Sequence, residues 1–165
     1  METYTGSTGA AILTTTIQEY REFIAGRAVT QSHNGFAPKS LAPQLKIHQK
    51  TAVEFALNRG KSAAFLDTGL GKSFIELEFA KQTAEYTGKP SLILTPLAVA
   101  GQMVREGQKF GIDARQIKEQ SQVGAGVMVA NYERLAKLDP SAFGAVIMDE
   151  SSILKSFNGK TCTLM

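Results

Sequence analysis

Residues that form disulfides or bind zinc are scarce in this sequence. Its 165 residues include one cysteine, Cys162, and two histidines, His33 and His48. A single cysteine excludes an internal disulfide, so the fold does not depend on an oxidising compartment. These three residues also form no cluster with the spacing of zinc ligands. The sequence therefore excludes a disulfide-stapled fold and offers no zinc site.

Long apolar runs are missing as well. Runs such as Ala145–Met148 have the length of a strand and fall far short of a membrane span. The N-terminus lacks the basic start and continuous apolar stretch of a signal peptide, and no Asn-x-Ser/Thr acceptor site occurs. We therefore expect a cytoplasmic protein without a membrane partner.

The remaining composition is that of a globular domain. Hydrophobic residues make up 43% of the chain and charged residues 20%, which excludes intrinsic disorder and fits one compact domain with a core. The net charge of +3 and the pI near 9.0 permit contact with nucleic acid without demonstrating it.

The chain divides into two parts by composition. Thr16 and Glu19 have the spacing of a capping box, and the short amphipathic helix that they predict ends at Gly26. Residues 28–43 are rich in Gly, Pro, Ser, Asn and Gln, which is typical of a linker or surface loop. We interpret residues 1–43 as an N-terminal extension and residues 44–165 as the main domain.

Helical and strand patterns alternate in the main domain. Helices are predicted over 46–59, which Gly60 closes, over 73–86, and over a segment that ends at Gly111. Aliphatic runs without polar alternation predict strands buried on both faces, over 62–66, 92–94, 127–129 and 145–148, with a further strand over 114–117. This alternation predicts an α/β fold with a mainly parallel central sheet between helical layers.

A glycine-rich turn, Asp67-Thr68-Gly69-Leu70-Gly71-Lys72-Ser73, joins a predicted strand to a predicted helix. Phosphate binding requires backbone N–H groups to approach the oxygens closely, which favours glycine at 69 and 71. Lys72 would reach the β- and γ-phosphates, and the Ser73 hydroxyl would bind Mg²⁺. The strict phosphate-loop pattern has glycine where this chain has Leu66. An ordinary strand-to-helix turn is the structural alternative.

Two carboxylates, Asp149 and Glu150, end the apolar run 145–148. A carboxylate in this place holds Mg²⁺ opposite the nucleotide in phosphate-loop enzymes. The neighbouring carboxylate could orient or deprotonate the attacking water. By itself, an acidic pair after a strand also fits a solvated loop, so the interpretation depends on the phosphate loop upstream.

From about Leu45 to Lys155, the sequence resembles the first RecA-like domain of superfamily 2 helicases and translocases, especially the Swi/Snf-like and phage-type members. The segment 67–73 is similar to their motif I, 92–96 with Gln102 to motif Ia, and 127–135 to motif Ib. Asp149-Glu150-Ser151-Ser152 is similar to motif II, the DEAD/DEAH box, but has Ser-Ser at its last two positions.

The resemblance implies ATP or ADP with Mg²⁺ as ligands. Lys72 and Glu150 take catalytic roles, and Ser73 and Asp149 bind the metal. Gln49 upstream reads adenine, although an exposed helical glutamine is the alternative. The resemblance also implies nucleic acid, expected to be DNA, as a partner in a prokaryotic or phage-infected cell. Residues predicted to bind nucleotide are Gln49, Thr68, Gly69, Leu70, Gly71, Lys72 and Ser73, and candidate nucleic-acid contacts are Thr95, Gln102, Asn131 and Tyr132.

The sequence shows no second RecA-like domain, which such enzymes need for translocation. The expected function is therefore the ATP-binding N-terminal half of a DNA helicase or translocase, with little or no hydrolysis on its own. The partner domain would lie on a longer chain or on another chain. A stand-alone nucleotide-binding regulator or decoy is the alternative. A small kinase is a weaker one, since it needs a lid and substrate-binding arginines after the second carboxylate strand.

Overall fold

The computed structural model describes residues 34–150. The helix predicted to end at Gly26 lies outside these residues, as do Ser151 and Ser152 of the motif II segment. No helix in the described part is both long and apolar enough to cross a membrane.

A four-stranded parallel sheet forms the centre of the described domain. Its strands are β1 (Ser91–Thr95), β2 (Ala114–Gln116), β3 (Val127–Asn131) and β4 (Ala145–Met148), in the spatial order β2-β3-β1-β4. Every residue of β1 and β3 is buried, as the lack of polar alternation predicts. The α/β class and the parallel sheet are therefore confirmed, and so is the additional strand predicted over 114–117.

Within the described residues, three α-helices accompany the sheet, and they confirm the helices predicted for the main domain. They are α1 (Ile47–Arg59), α2 (Lys72–Thr87) and α3 (Leu97–Lys109). Helix α1 buries Val53 and Leu57, which pack with Ile75 of α2. The i, i+4 spacing of Val53 and Leu57 places both on the buried face of α1.

The sheet separates two apolar layers. On one face, Ile93 and Val129 pack with Leu77 of α2 and Met103 of α3. On the other face, Leu92, Leu94 and Met128 pack with residues of two short 3₁₀ helices, Tyr132–Lys137 and Pro140–Ala142, and with the residues that follow them. The described residues thus form three layers with the sheet in the middle.

Strand β4 is more exposed to solvent than predicted. Val146 and Met148 are 42% and 41% exposed, so the prediction that this strand is buried on both faces is wrong. The strand predicted over 62–66 is wrong too, because these residues have no regular secondary structure and do not join the sheet, and Phe65 is 96% exposed. Three of its five residues are Ser or Ala. Such small side chains bury little apolar area to stabilise a strand.

Residues 34–43 have no helix or strand, as predicted, but they pack closely on the helices. Glu78 of α2 is fully buried and accepts a hydrogen bond from the Ala42 N–H at 3.1 Å. Gln82, one turn further along, donates to Glu78 and to the carbonyl of Ser40. This buried network fixes the chain where it enters α1.

Candidate functional site

The ends of the parallel strands bring the predicted site residues to one edge of the sheet. Thr95 ends β1 and lies opposite Asn131, which ends β3. Asp149 follows β4, and its N–H donates to the Leu94 carbonyl at 2.9 Å, so it continues the sheet register by one residue. In parallel α/β sheets, ligands bind outside the carboxyl ends of the strands. The candidate site is therefore located at this edge.

The loop over 67–71 has the backbone conformation that its glycines suggest. Gly69 and Gly71 have φ values of 82° and 76°, which other residues rarely adopt. Gly69 opens onto free space, with no atom within 4 Å of the position that a Cβ would take. At Gly71 a Cβ would collide with the side-chain nitrogen of Gln49. Both positions therefore require glycine. Gly69 does so because of its positive φ, and Gly71 because of its positive φ and the close approach of Gln49.

Helix α2 begins at Lys72, directly after this loop. The first backbone N–H groups of a helix lack partners within the helix and attract anions. The Lys72 Nζ donates a hydrogen bond to the Leu66 carbonyl at 2.9 Å, so the lysine side chain folds back along the loop. Ser73 is partly exposed beside it. Of the predicted strand–turn–helix arrangement, the turn and the helix are present, whereas the residues before the loop do not form a strand.

Gln49 lies against the glycine-rich loop over 67–71. It is 6% exposed, its Oε1 accepts from the Lys46 N–H at 2.9 Å, and its Nε2 donates to the Leu70 carbonyl at 3.1 Å. The alternative of an exposed helical glutamine is therefore wrong. Because both ends of the amide bind protein groups here, adenine recognition by Gln49 stays a prediction.

The charges of Lys72, Asp149 and Glu150 all act on the carboxyl of Glu76, which lies four residues after Lys72 on α2. Burial, together with the charges of Asp149, Glu106 and Glu150, raises the pKa of Glu76 to about 8, although the charge of Lys72 acts in the opposite direction. Burial and then the Glu150 charge raise the pKa of Asp149, whereas the Glu150 N–H and Lys72 lower it. Lys72, Glu76, Asp149 and Glu150 therefore lie close enough for their charges to affect the titration of Glu76 and Asp149.

Glu76 was not among the residues predicted from the sequence. It lies four residues after Lys72 on α2, so the helix repeat brings both to the same face. Its Oε2 is buried and has no hydrogen-bond partner within the described residues. The i, i+4 spacing was the signal that could have identified it.

Glu150 has a left-handed backbone, with φ of 50°. Residues other than glycine adopt this conformation at a cost of roughly 1–2 kcal/mol, and such strain often occurs at functional sites. The strain lies at Glu150, which is itself one of the two predicted carboxylates and directly follows the other, Asp149. It is therefore a feature of the candidate site and not of the fold in general.

A magnesium ion fits the available donors. Mg²⁺ prefers hard oxygen ligands and is commonly held by one or two carboxylates together with phosphate oxygens. Asp149 and the Ser73 hydroxyl are donors of this kind. Within the part of the chain that the structure describes, no group of three or more His, Cys, Asp or Glu residues could hold a metal ion. Metal binding by Ser73 and Asp149 thus stays a prediction, with phosphate oxygens as the remaining ligands.

The four candidate nucleic-acid contacts differ in accessibility. Gln102 is exposed on α3, where it donates to Glu106 at 2.9 Å. Thr95 and Asn131 are 0% and 5% exposed, and their side chains bind the Pro96 carbonyl and Glu133. Tyr132 is 5% exposed, which agrees with the alternative that it is a packing residue. Of the four, Gln102 is the one open to a partner.

Burial raises the pKa of Tyr132 to about 12, and the charges of Asp149, Glu76 and Glu150 contribute in the same direction. The phenol hydroxyl donates a hydrogen bond to the main-chain carbonyl of Asp149 at 2.6 Å. Tyr132 is therefore a buried residue that lies next to Asp149 and is affected by the charges of the neighbouring carboxylates.

No protein-family model and no curated protein matches the sequence. Solved structures do match the fold. The SWI2/SNF2 ATPase core of Sulfolobus solfataricus, in complex with dsDNA, is 18% identical with a TM-score of 0.63, over 78% of this chain and 31% of that chain. The UvsW helicase of bacteriophage T4 is 19% identical with a TM-score of 0.59, over 89% of this chain and 54% of that chain.

At such identities the likeness is one of fold. This chain has a RecA-like α/β fold, similar to that of the matching parts of these two structures. It spans about a third of the archaeal ATPase core and about half of the phage helicase.

Proposed function

We propose that this chain binds ATP or ADP with Mg²⁺ and is the ATP-binding N-terminal half of a superfamily 2 DNA helicase or translocase. The observation that carries the proposal is the meeting of Lys72, at the first turn of α2, with Asp149 and Glu150, at the end of β4. Residues 77 positions apart come together at the carboxyl edge of a parallel sheet, beside a loop with two left-handed glycines.

Each residue then has a distinct role in binding. The N–H groups of the 68–73 segment and the Lys72 ammonium bind the phosphates, while Ser73 and Asp149 hold the metal. When bound, Mg²⁺ neutralises the charge that develops on the phosphate oxygens. Glu150 is suited to orient the attacking water, and Gln49 to contact adenine, at the cost of its hydrogen bond to Leu70.

Hydrolysis by this chain alone should be slow. Phosphoryl transfer depends on positive charge around the γ-phosphate, and an arginine finger contributes roughly 10³–10⁵ in rate in related phosphate-loop enzymes. Within the described residues, Lys72 is the one cation whose charge lowers the pKa of both Glu76 and Asp149. An arginine from a second RecA-like domain, on a longer chain or on another chain, would complete the site.

DNA is the proposed nucleic-acid partner. The archaeal ATPase core with a similar fold was solved with double-stranded DNA. Gln102 is exposed on α3 and is the contact that the described surface supports best. The basic pI near 9.0 is compatible with weak phosphate binding through this half. A stand-alone nucleotide-binding regulator is the second candidate, and it would bind nucleotide without any affinity for DNA.

Calorimetric titration with ADP and Mg²⁺ tests the proposal. Lys72→Ala should weaken binding by roughly 10- to 150-fold, because charge-assisted hydrogen bonds to phosphate contribute about 1.5–3 kcal/mol. Lys61→Ala is the matched control, since this lysine is exposed and precedes the loop by a few residues. Equal affinities for wild type and Lys72→Ala would disprove the phosphate-loop assignment.

A further inference from the structure

The Tyr132 hydroxyl bridges the ends of two strands that do not touch. Tyr132 follows β3 and Asp149 follows β4, while β1 lies between those strands. The phenol hydroxyl of Tyr132 reaches across the position of β1 and donates a hydrogen bond to the Asp149 carbonyl at 2.6 Å. The ring itself is buried among Leu92, Leu94 and other residues of the second apolar layer. Its position is therefore fixed by the core and not by the loop that it reaches.

This hydrogen bond acts on the backbone segment where the chain leaves the sheet. The Asp149 N–H is bound to the Leu94 carbonyl at 2.9 Å, so the peptide before Asp149 belongs to the sheet. The peptide after Asp149 leaves the sheet and leads into the left-handed Glu150. Such a conformation persists when surrounding contacts hold it. The Tyr132 hydroxyl binds the carbonyl oxygen of that second peptide.

We propose that Tyr132 is a positioning residue, which holds the Asp149–Glu150 turn in the conformation that directs both carboxylates toward the metal–nucleotide. The metal–nucleotide in this inference rests on the proposed function, whereas the hydrogen bond from Tyr132 to Asp149 does not depend on it. Tyr132 acts through the Asp149 carbonyl and touches no substrate. The residue that the sequence suggested as a nucleic-acid contact thus supports the metal side of the site.

Tyr132→Phe removes the hydroxyl and keeps the buried ring. Tyr86→Phe is the control, because Tyr86 is 66% exposed on α2. In nucleotide-free protein, hydrogen exchange should accelerate in the peptide covering 145–150 of Tyr132→Phe, and stay unchanged over β1. Titration with ADP should show a two- to tenfold loss of affinity with Mg²⁺, the range expected for one hydrogen bond, and no loss in EDTA.

The possible outcomes distinguish the positioning role of Tyr132 from the proposed binding of nucleotide. If wild type binds no ADP, the proposed function fails, while the exchange measurement still tests the positioning role. Unchanged exchange over 145–150 in Tyr132→Phe would overturn the inference, as would faster exchange across the whole domain, which indicates a packing role only. Should Tyr132→Phe not fold, nuclear magnetic resonance of wild type decides. A slowly exchanging hydroxyl proton close to Asp149 and Glu150 supports the bond, and its absence refutes it.

Discussion

Glu76 should make the folded domain less stable as pH rises. The pKa of its carboxyl is about 8 in the folded protein and 4.5 ordinarily, mainly because burial disfavours the charged form. The folded state therefore holds a proton that the unfolded state releases near pH 4.5. The free energy of unfolding falls as pH rises between these values, and the loss is complete above pH 8.

The size of this effect follows from the two pKa values. One pKa unit corresponds to about 1.4 kcal/mol, so the loss between pH 4.5 and pH 8 is on the order of 4 kcal/mol. That is a large part of the ~5–15 kcal/mol by which most domains are stable. The raised pKa of Asp149 adds to the loss in the same direction.

Glu76→Gln keeps the shape of the side chain and removes its ionisation. Urea unfolding of nucleotide-free protein, measured from pH 5 to pH 9, should show a much flatter pH dependence for this variant than for wild type. At pH 9 the variant should be the more stable of the two. Glu85→Gln, at an exposed position on the same helix, should follow wild type. Equal pH dependence in Glu76→Gln and wild type would refute the burial argument.

Two further predictions concern the nucleotide. Gln49→Ala should weaken ATP binding relative to GTP by about 1–3 kcal/mol, the value of a bidentate base contact, and equal binding of both nucleotides by wild type would remove this role from Gln49. The 165-residue chain should hydrolyse ATP very slowly, with no useful stimulation by single- or double-stranded DNA. Robust DNA-stimulated turnover that Glu150→Gln abolishes would show that the arginine comes from this chain or from a self-associated copy.

Sequence periodicity predicted the central part of the fold well. The central residues of β1, 92–94, and the first four residues of β3 are apolar, and the structure buries both strands along their whole length. Helix α2 follows a loop whose glycines have the φ values that only glycine adopts readily. In these segments local preference and tertiary packing favour the same structure, so a single sequence was sufficient.

Prediction failed where packing depends on which neighbour is present. Residues 62–66 look like a strand, but a strand needs a partner, and β4 is paired only with β1 among the described strands. Likewise, the exposure of Val146 and Met148 depends on what covers that face of β4, which periodicity does not report. Hydrophobic pattern gives a preference for extended backbone but not the pairing.

The charged residues of the candidate site were proposed from sequence motifs, whereas the contacts that support them were not. Lys72, Asp149 and Glu150 belong to recognisable motifs, and they meet at one edge of the sheet. The hydrogen bond from Tyr132 to Asp149 joins residues 17 positions apart through a strand order that the sequence does not state. The raised pKa of Glu76 depends on burial, which is a property of the folded chain alone.

The central claim is that the loop over 67–73 binds an adenine nucleotide with Mg²⁺. Amide resonances of isotope-labelled protein, followed while ADP and Mg²⁺ are added, test it most directly. We predict that the largest shifts fall on Gly69, Gly71, Lys72 and Ser73, with smaller shifts at Gln49 and Asp149, and that Lys72→Ala reduces all of them. Shifts confined to residues away from this edge of the sheet, or none at saturating ADP, would contradict the account.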